Sequence, residues 1–208
     1  MTVPNILDTS QLLAVAAALG WASGLRLYSV LFLTGLAGLM GWVPLPDGLK
    51  LLQNPWVLGA SGVMLLLEFF ADKIPGIDTL WDTLHTVIRI PAGAALAASV
   101  FGGDQSNWAA AAGLLGAALA ATSHVAKAAT RAAINTSPEP FSNIALSLAG
   151  DAAVPTMLWL SWTNLPVFAA CLGLALVVML VLSVMLMKFL KSLVRGLRDR
   201  FGGAQAAA

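Results

Sequence analysis

Six long apolar stretches make up most of this 208-residue chain. They cover residues 12–42, 56–71, 84–101, 108–126, 141–160 and 165–187. A helix that crosses a bilayer needs about 20 predominantly apolar residues. Only 10% of the residues are charged, whereas a soluble domain carries about 25%. The sequence therefore predicts an all-α, polytopic integral membrane helix bundle with about six membrane segments.

Some of these segments carry features that oppose a simple crossing. Arg89 and Asp151 lie inside the third and fifth stretches, and such segments are re-entrant or buried in protein rather than facing lipid. The first stretch contains Ser23-Gly24-Leu25-Arg26, which predicts a break in a long helix. Discontinuous helices expose backbone groups to a ligand at membrane depth.

The distribution of basic residues predicts the orientation of the chain. Lys and Arg are enriched near Lys73, between Lys127 and Arg131, and in the C-terminal tail, whereas the opposite loops contain only Lys50. Loops rich in Lys and Arg stay in the cytoplasm. We therefore expect a multi-pass protein of the bacterial cytoplasmic (inner) membrane, with about six spans and both termini in the cytoplasm.

The chain divides into one transmembrane helical domain, residues 1–190, and a tail, residues 191–208. The sequence from Lys188 to Phe201 predicts a basic amphipathic helix, and the residues after it predict a disordered segment. Anionic inner-leaflet lipids are the expected partner of the basic face. The formal net charge of +1 gives no support to a nucleic-acid partner.

Small residues recur at helical spacing in the first and fourth stretches. Gly20 and Gly24 are four residues apart, and Gly113 and Gly116 are three apart. Such residues let helix backbones approach closely in lipid. The close contact forms either within one chain or between the copies of a homo-oligomer, and the sequence leaves both open.

A stripe of ionisable residues leads into the third stretch. Asp78, Asp82, His85 and Arg89 are spaced four, three and four apart, so a helix places them on one face. Ionisable residues in the bilayer are costly, which makes each of them a candidate functional residue. Together with similar groups on neighbouring stretches, the candidate ion- or substrate-binding residues are Glu68, Asp72, Asp78, Asp82, His85, Arg89, His124, Lys127, Arg131 and Asp151.

Three hypotheses fit these residues. In a small transporter or channel with its polar centre near the cytoplasm, the acids and His85 relay a cation or proton and the basic set binds an anionic group. In an enzyme acting on a lipid phosphate, pairs such as Asp78 and Asp82 hold Mg²⁺. In a membrane scaffold, the charges pair with each other. No catalytic residue is assigned, and Mg²⁺ is the one cofactor considered, for the enzyme alone.

Three segments resemble a known family. They are Gly24-Leu-Arg-Leu-Tyr-Ser-Val-Leu, the run from Glu68 to Asp82, and Arg89-Ile-Pro-Ala-Gly. They resemble domain of unknown function family 4126, small multi-span bacterial membrane proteins, over about residues 10–190. The resemblance implies residence in a membrane. It implies no activity, so the candidate residues above rest on their spacing.

Overall fold

The computed structural model describes residues 7–102, 105–136 and 141–205, and within them it shows helices and no strand. This confirms the predicted all-α class. The elements are α1 (Thr9–Leu39), a 3₁₀ helix (Asp47–Gln53), α2 (Pro55–Ala71), α3 (Ile77–Ser99), α4 (Ser106–Ile134), α5 (Phe141–Thr163) and α6 (Leu165–Gln205).

Each of the six predicted stretches overlaps one α-helix. The helices differ in whether they are long and apolar enough to cross a bilayer. Four of the described helices are long and apolar enough, namely α1, α4, α5 and most of α6. The 3₁₀ helix and α2, bent by 69°, form a fifth candidate if they count as one span. The charged stripe at the start of α3 keeps that helix from qualifying.

The outer surface of the bundle is apolar, and this is clearest on α6. Leu174, Val177, Val181 and Met185 are each more than half exposed. In water such a surface would be an aggregation site, whereas in a bilayer it contacts lipid tails. The apolar helices and their apolar exterior identify a membrane protein.

The predicted break in α1 is present at Arg26, whose φ of −149° and ψ of 82° are not helical. Before it, residues 9–25 run alongside α4 in the same direction. Gly20 packs on Gly116, and the carbonyl of Leu25 accepts a hydrogen bond from Lys127. We call residues 9–25 the first arm of α1 and residues 27–39 its second arm.

The second arm returns toward the end of the bundle from which the first arm came. Tyr28, just after the break, contacts His85 on α3. Gly35 then packs on Leu52 of the 3₁₀ helix, and Gly48 of that helix packs on Ser99 at the far end of α3. Because α3 and α4 are antiparallel, the second arm runs opposite to the first, and α1 is V-shaped with Arg26 at its apex.

The reversal determines where the start of α1 lies relative to the end of α6. The expectation that both termini lie on one side assumed that α1 crosses the bundle once. Since α1 folds back, Thr9 lies at the end of the bundle where α4 begins. The helix α6 begins at that same end, next to Thr163, and runs away from it. The start of α1 and the end of α6 therefore lie at opposite ends of the bundle.

The small residues serve packing inside the chain. A Cβ atom on Gly20 would meet the backbone of Gly116, and one on Gly24 would meet Ser123 and the carbonyl of Ala120. On α3, a Cβ atom on Gly93 would lie 2.8 Å from the Cβ atom of Ala120 on α4. These contacts bring α1, α3 and α4 together as a tightly packed core.

Two observations concern the continuity of helices. Pro91 lies inside α3, which continues through it to Ser99. The helix α6 continues to Gln205, beyond Phe201, where the amphipathic helix was expected to give way to a disordered segment. The last residues of that predicted segment, 206–208, lie outside the described residues.

The close contact of α3 with α4 predicts that Gly116→Ala destabilises the protein while Gly113→Ala does not. The added methyl group at position 116 would lie 2.5 Å from Ala97 Cβ and 2.6 Å from the Gly93 carbonyl, and such overpacking costs about 1–3 kcal/mol. At position 113 the nearest atoms lie at 3.5 Å, and alanine favours the helix by up to about 1 kcal/mol. Chemical unfolding in detergent measures the stability of both variants relative to the unmodified protein.

The V-shaped α1 predicts that Thr9 and Val194 lie on opposite sides of the membrane. Both residues are exposed, so each can be replaced by cysteine after Cys171→Ser removes the single native cysteine. A membrane-impermeant maleimide added to intact cells should label one position, and labelling of the other should require permeabilisation. Labelling of both under the same condition would contradict the reversal at Arg26.

Candidate functional site

The buried charges of the described bundle meet in one ion-pair network, which we call the charge cluster. It draws on α1, α3, α4 and α5 and on the C-terminal end of α2. Five acidic and five basic side chains form it: Arg26, Glu68, Asp72, Lys73, Asp78, Asp82, Arg89, Lys127, Arg131 and Asp151.

Arg89 joins α3 to α2 in the most deeply buried part of the charge cluster. Its Nη2 donates to Glu68 Oε1 at 2.8 Å, and its Nη1 donates to Asp82 Oδ1 at 2.6 Å. Arg89 and Glu68 are fully buried. Glu68 Oε2 and Arg89 Nε have no hydrogen-bond partner among the described residues. One donor and one acceptor are thus left free beside a strong ion pair.

Lys127 lies at the centre of the charge cluster. Its ammonium group has three donors. It contacts the carboxylate of Asp72, with Oδ2 at 2.9 Å and Oδ1 at 3.2 Å, Asp82 Oδ1 at 2.9 Å and the Leu25 carbonyl at 3.1 Å. The last of these directly precedes the break in α1. The ammonium group of Lys127 therefore connects α4 to α1, to α3 and to the end of α2.

Arg26 links the break in α1 to α5. Its guanidinium lies 3.2 Å from Asp72 Oδ2 and 3.1 Å from Asp151 Oδ1, and it donates to the hydroxyl and carbonyl oxygens of Ser147. Lys73 completes this part, since its ammonium group lies 3.0 Å from Asp151 Oδ2. Asp151 is about one-fifth exposed, so the charge cluster is least buried here.

Arg131 connects the C-terminal end of α2 to the first turn of α3. Its Nη1 donates to the Asp72 carbonyl and to Asp78 Oδ2, both at 2.8 Å. Asp72 is the C-cap of α2, where backbone carbonyls lack a helical partner. Asn135 also donates to Asp78. The termination of α2 therefore supplies a backbone acceptor to the charge cluster.

The two histidines border the charge cluster. His85 stacks on Trp81, and its Nδ1 lies 2.8 Å from the Trp81 carbonyl. A carbonyl only accepts, so Nδ1 carries a proton and, in the neutral ring, Nε2 accepts from the Tyr28 hydroxyl at 3.1 Å. His124 Nε2 lies 2.8 Å from Thr86 Oγ1, and its Nδ1 lies 3.5 Å from Arg89 Nη1.

The structure brings the sequence-derived candidates together. The stripe on α3 faces inward, and its four residues, Asp78, Asp82, His85 and Arg89, are buried. Eight of the ten candidates belong to the charge cluster, and His85 and His124 adjoin it. Sequence reasoning left out Arg26 and Lys73. The signal for Arg26 was its position at the predicted helix break, and for Lys73 it was its adjacency to Asp72.

A cavity of about 600 Å³ lies beside the charge cluster, between α4, α5 and α6. Its floor contains four members of the charge cluster, Arg26, Asp72, Lys127 and Arg131, and its walls are mostly apolar. Four buried charged side chains therefore border the cavity.

The geometry separates the three hypotheses made from the sequence. Among the described residues no group of three His, Cys, Asp or Glu could hold a metal ion, and the acids instead contact Arg and Lys. The enzyme hypothesis thus gains no observation from the site. Direct carboxylate–guanidinium pairing is what a scaffold needs, but a scaffold does not require a cavity that reaches those pairs.

The burial of Arg89 predicts a large cost for removing its charge. Arg89→Met would leave Glu68 and Asp82 with less compensation in a dry interior, and breaking a buried pair costs about 3–5 kcal/mol. Lys50→Met is the matched control, because Lys50 is 61% exposed and surface pairs contribute about 0–1 kcal/mol. Chemical unfolding in detergent compares them, and equal stability would show that the Arg89 pairs are unimportant for folding.

Comparison with known proteins is informative at the level of the family. Curated proteins and solved structures contain no significant match to the chain. The family described as Domain of unknown function (DUF4126) matches residues 13–186, which include the entire charge cluster and at least half of every helix. The chain belongs to this family of domains of unknown function.

Proposed function

We propose that the protein is a small transporter that moves an anion together with a proton. The charge cluster is the centre at which both bind. One observation carries this proposal: four members of the charge cluster line the floor of a cavity of about 600 Å³, which is large enough for a small molecule. A set of purely structural ion pairs has no need of such access.

The balance of charges explains why a proton should accompany the anion. An anion that enters the cavity adds one negative charge to a neutral, poorly solvated centre, and unbalanced charge is costly there. Asp72 contacts Arg26, Lys127 and Arg131. An anion that takes over some of these contacts leaves Asp72 free to accept a proton, which restores neutrality.

The break in α1 supports the same proposal. Discontinuous helices form the substrate sites of many transporters, because an interrupted helix exposes backbone groups at membrane depth. Here the residues at the break are themselves part of the site, since Lys127 contacts the Leu25 carbonyl and Arg26 contacts Asp72. A change in the angle of the V would alter both contacts.

We also place the protein in the bacterial cytoplasmic membrane, with the end of α6 in the cytoplasm. Lys188, Lys191, Arg195, Arg198 and Arg200 lie near that end, where positive residues remain inside and attract anionic inner-leaflet lipids. The charge cluster is then nearer the cytoplasm, and the start of α1 faces outward.

A flux assay tests the proposal. Purified protein is reconstituted into vesicles loaded with the pH-sensitive dye pyranine, and methyl, butyl or decyl sulfonate is added outside. These probes stay charged, so they do not cross as neutral acids. Transport with a proton should acidify the vesicle interior, and the rate should exceed that of protein-free vesicles for at least one probe.

Two double variants with the same substitutions provide the comparison. Asp72→Asn with Lys127→Met removes the carboxylate that would accept the proton and one of the cations that would bind the anion, and it keeps the charge cluster neutral. The variant should therefore fold but not acidify the vesicles. Asp47→Asn with Lys50→Met removes an exposed pair and should retain the flux. Absence of flux with every probe for the unmodified protein, or full flux in the first variant, would overturn the proposal.

A further inference from the structure

The cavity beside the charge cluster has two chemically different parts. Its floor carries three cations and one anion, namely Arg26, Lys127, Arg131 and Asp72. Its walls come from α5 and α6 and include Ala153, Met157, Ala175 and Met179. A ligand that satisfies both parts needs an acidic head and an apolar body.

Two buried N–H groups at the floor lack a hydrogen-bond acceptor. Arg26 Nη1 and Arg131 Nε have no hydrogen-bond partner among the described residues. Carboxylate oxygens lie near them, at 3.2 Å from Arg26 Nη1 and 3.4 Å from Arg131 Nε, without hydrogen-bond geometry. Both side chains are 1–2% exposed. Buried donors without acceptors are costly. Both atoms have less than 1 Å² of accessible surface, so an acidic head in the cavity would supply the missing acceptors once the two side chains turn toward it.

The rim of the cavity shows where such a ligand would enter. Thr156 on α5 and Val178 and Leu182 on α6 line the cavity and are also exposed on the outer surface of the bundle. The neighbouring surface of α6, with Leu174 and Val181, is apolar and exposed. The cavity therefore opens sideways between α5 and α6, at the depth of the lipid tails.

We propose that this cavity binds a single-chain anionic amphiphile, a long-chain carboxylate, from the surrounding bilayer. The carboxylate accepts hydrogen bonds from Arg26 and Arg131, and guanidinium–carboxylate contacts are among the stronger hydrogen bonds of proteins. The alkyl chain lies between α5 and α6. The volume of about 600 Å³ falls in the range of sites for small ligands and suits one chain. The role of this ligand as the transported anion rests on the proposed function, whereas its binding does not.

Trp21 provides a probe of occupancy because it lines the cavity. Protein in phosphatidylcholine vesicles is titrated with a fatty acid brominated at mid-chain, at alkaline pH where the acid is ionised. Bromine quenches nearby indole fluorescence. The difference between the unmodified protein and Trp21→Phe isolates the Trp21 signal. We expect half-quenching of this signal at an approximately tenfold lower mole fraction of the acid than of its neutral methyl ester.

A matched pair of variants distinguishes the cavity from the general lipid surface. Ala175 lines the cavity, and Leu174 next to it points to lipid and is 67% exposed. Ala175→Phe should fill the cavity and remove the preference for the acid. Leu174→Phe should leave it unchanged, because it adds bulk outside the cavity.

The outcomes separate this inference from the transport proposal. Equal quenching by acid and ester, or loss of the preference in both variants, would overturn the binding site. Selective quenching without proton-coupled flux would uphold the site and reject transport. Flux of methyl sulfonate without selective quenching would uphold transport and reject the amphiphile as its substrate.

Discussion

Charge compensation between helices is the constraint on which this bundle depends. Each charged residue that the described bundle buries has an oppositely charged partner, and most partners come from another helix. Lys127 on α4 reaches Asp72 at the end of α2 and Asp82 on α3, while Arg89 on α3 reaches Glu68 on α2. Because an uncompensated charge in a membrane interior is so unfavourable, these pairs restrict how the helices can be arranged. The glycine contacts of α1, α3 and α4 then set how closely those helices approach.

The geometry of α1 follows from the same constraint. A straight helix of 31 residues would be about 46 Å long, much longer than the hydrocarbon core of about 30 Å. Folding back at Arg26 lets both arms stay within the bundle, and it brings the Arg26 guanidinium next to Asp72 and Asp151. The break exposes backbone carbonyls, and Lys127 binds one of them. The break in α1 thus lies where polar side chains can form hydrogen bonds with its backbone groups, and membrane interiors require such bonds.

Sequence patterns predicted the parts of the site that belong to a single helix. The spacing of Asp78, Asp82, His85 and Arg89 placed them on one face of α3 because periodicity is a property of one element. The segment Ser23-Gly24-Leu25-Arg26 predicted the break in α1, which is likewise a property of one helix. The reversal at Arg26 was not predictable from hydropathy, since a helix that crosses once and a V-shaped helix have the same composition. The participation of Lys73 was missed because pairing across helices depends on tertiary packing, about which the spacing of one helix contains no information.

In the proposed function, the cavity gives the charge cluster a role beyond stability. Buried ion pairs are weak evidence of stabilisation, because hydrophobic replacements are often as stable. In a network that is only structural, every buried donor and acceptor should have a partner, because unpaired buried polar atoms are costly. Here Glu68 Oε2 and Arg89 Nε lack partners, as do donors of Arg26 and Arg131 beside the cavity. These free donors and acceptors give the charge cluster more than one favourable pattern of contacts. A centre that can exchange an internal carboxylate for an external one, without changing its net charge, has the property that coupled movement of an anion and a proton requires.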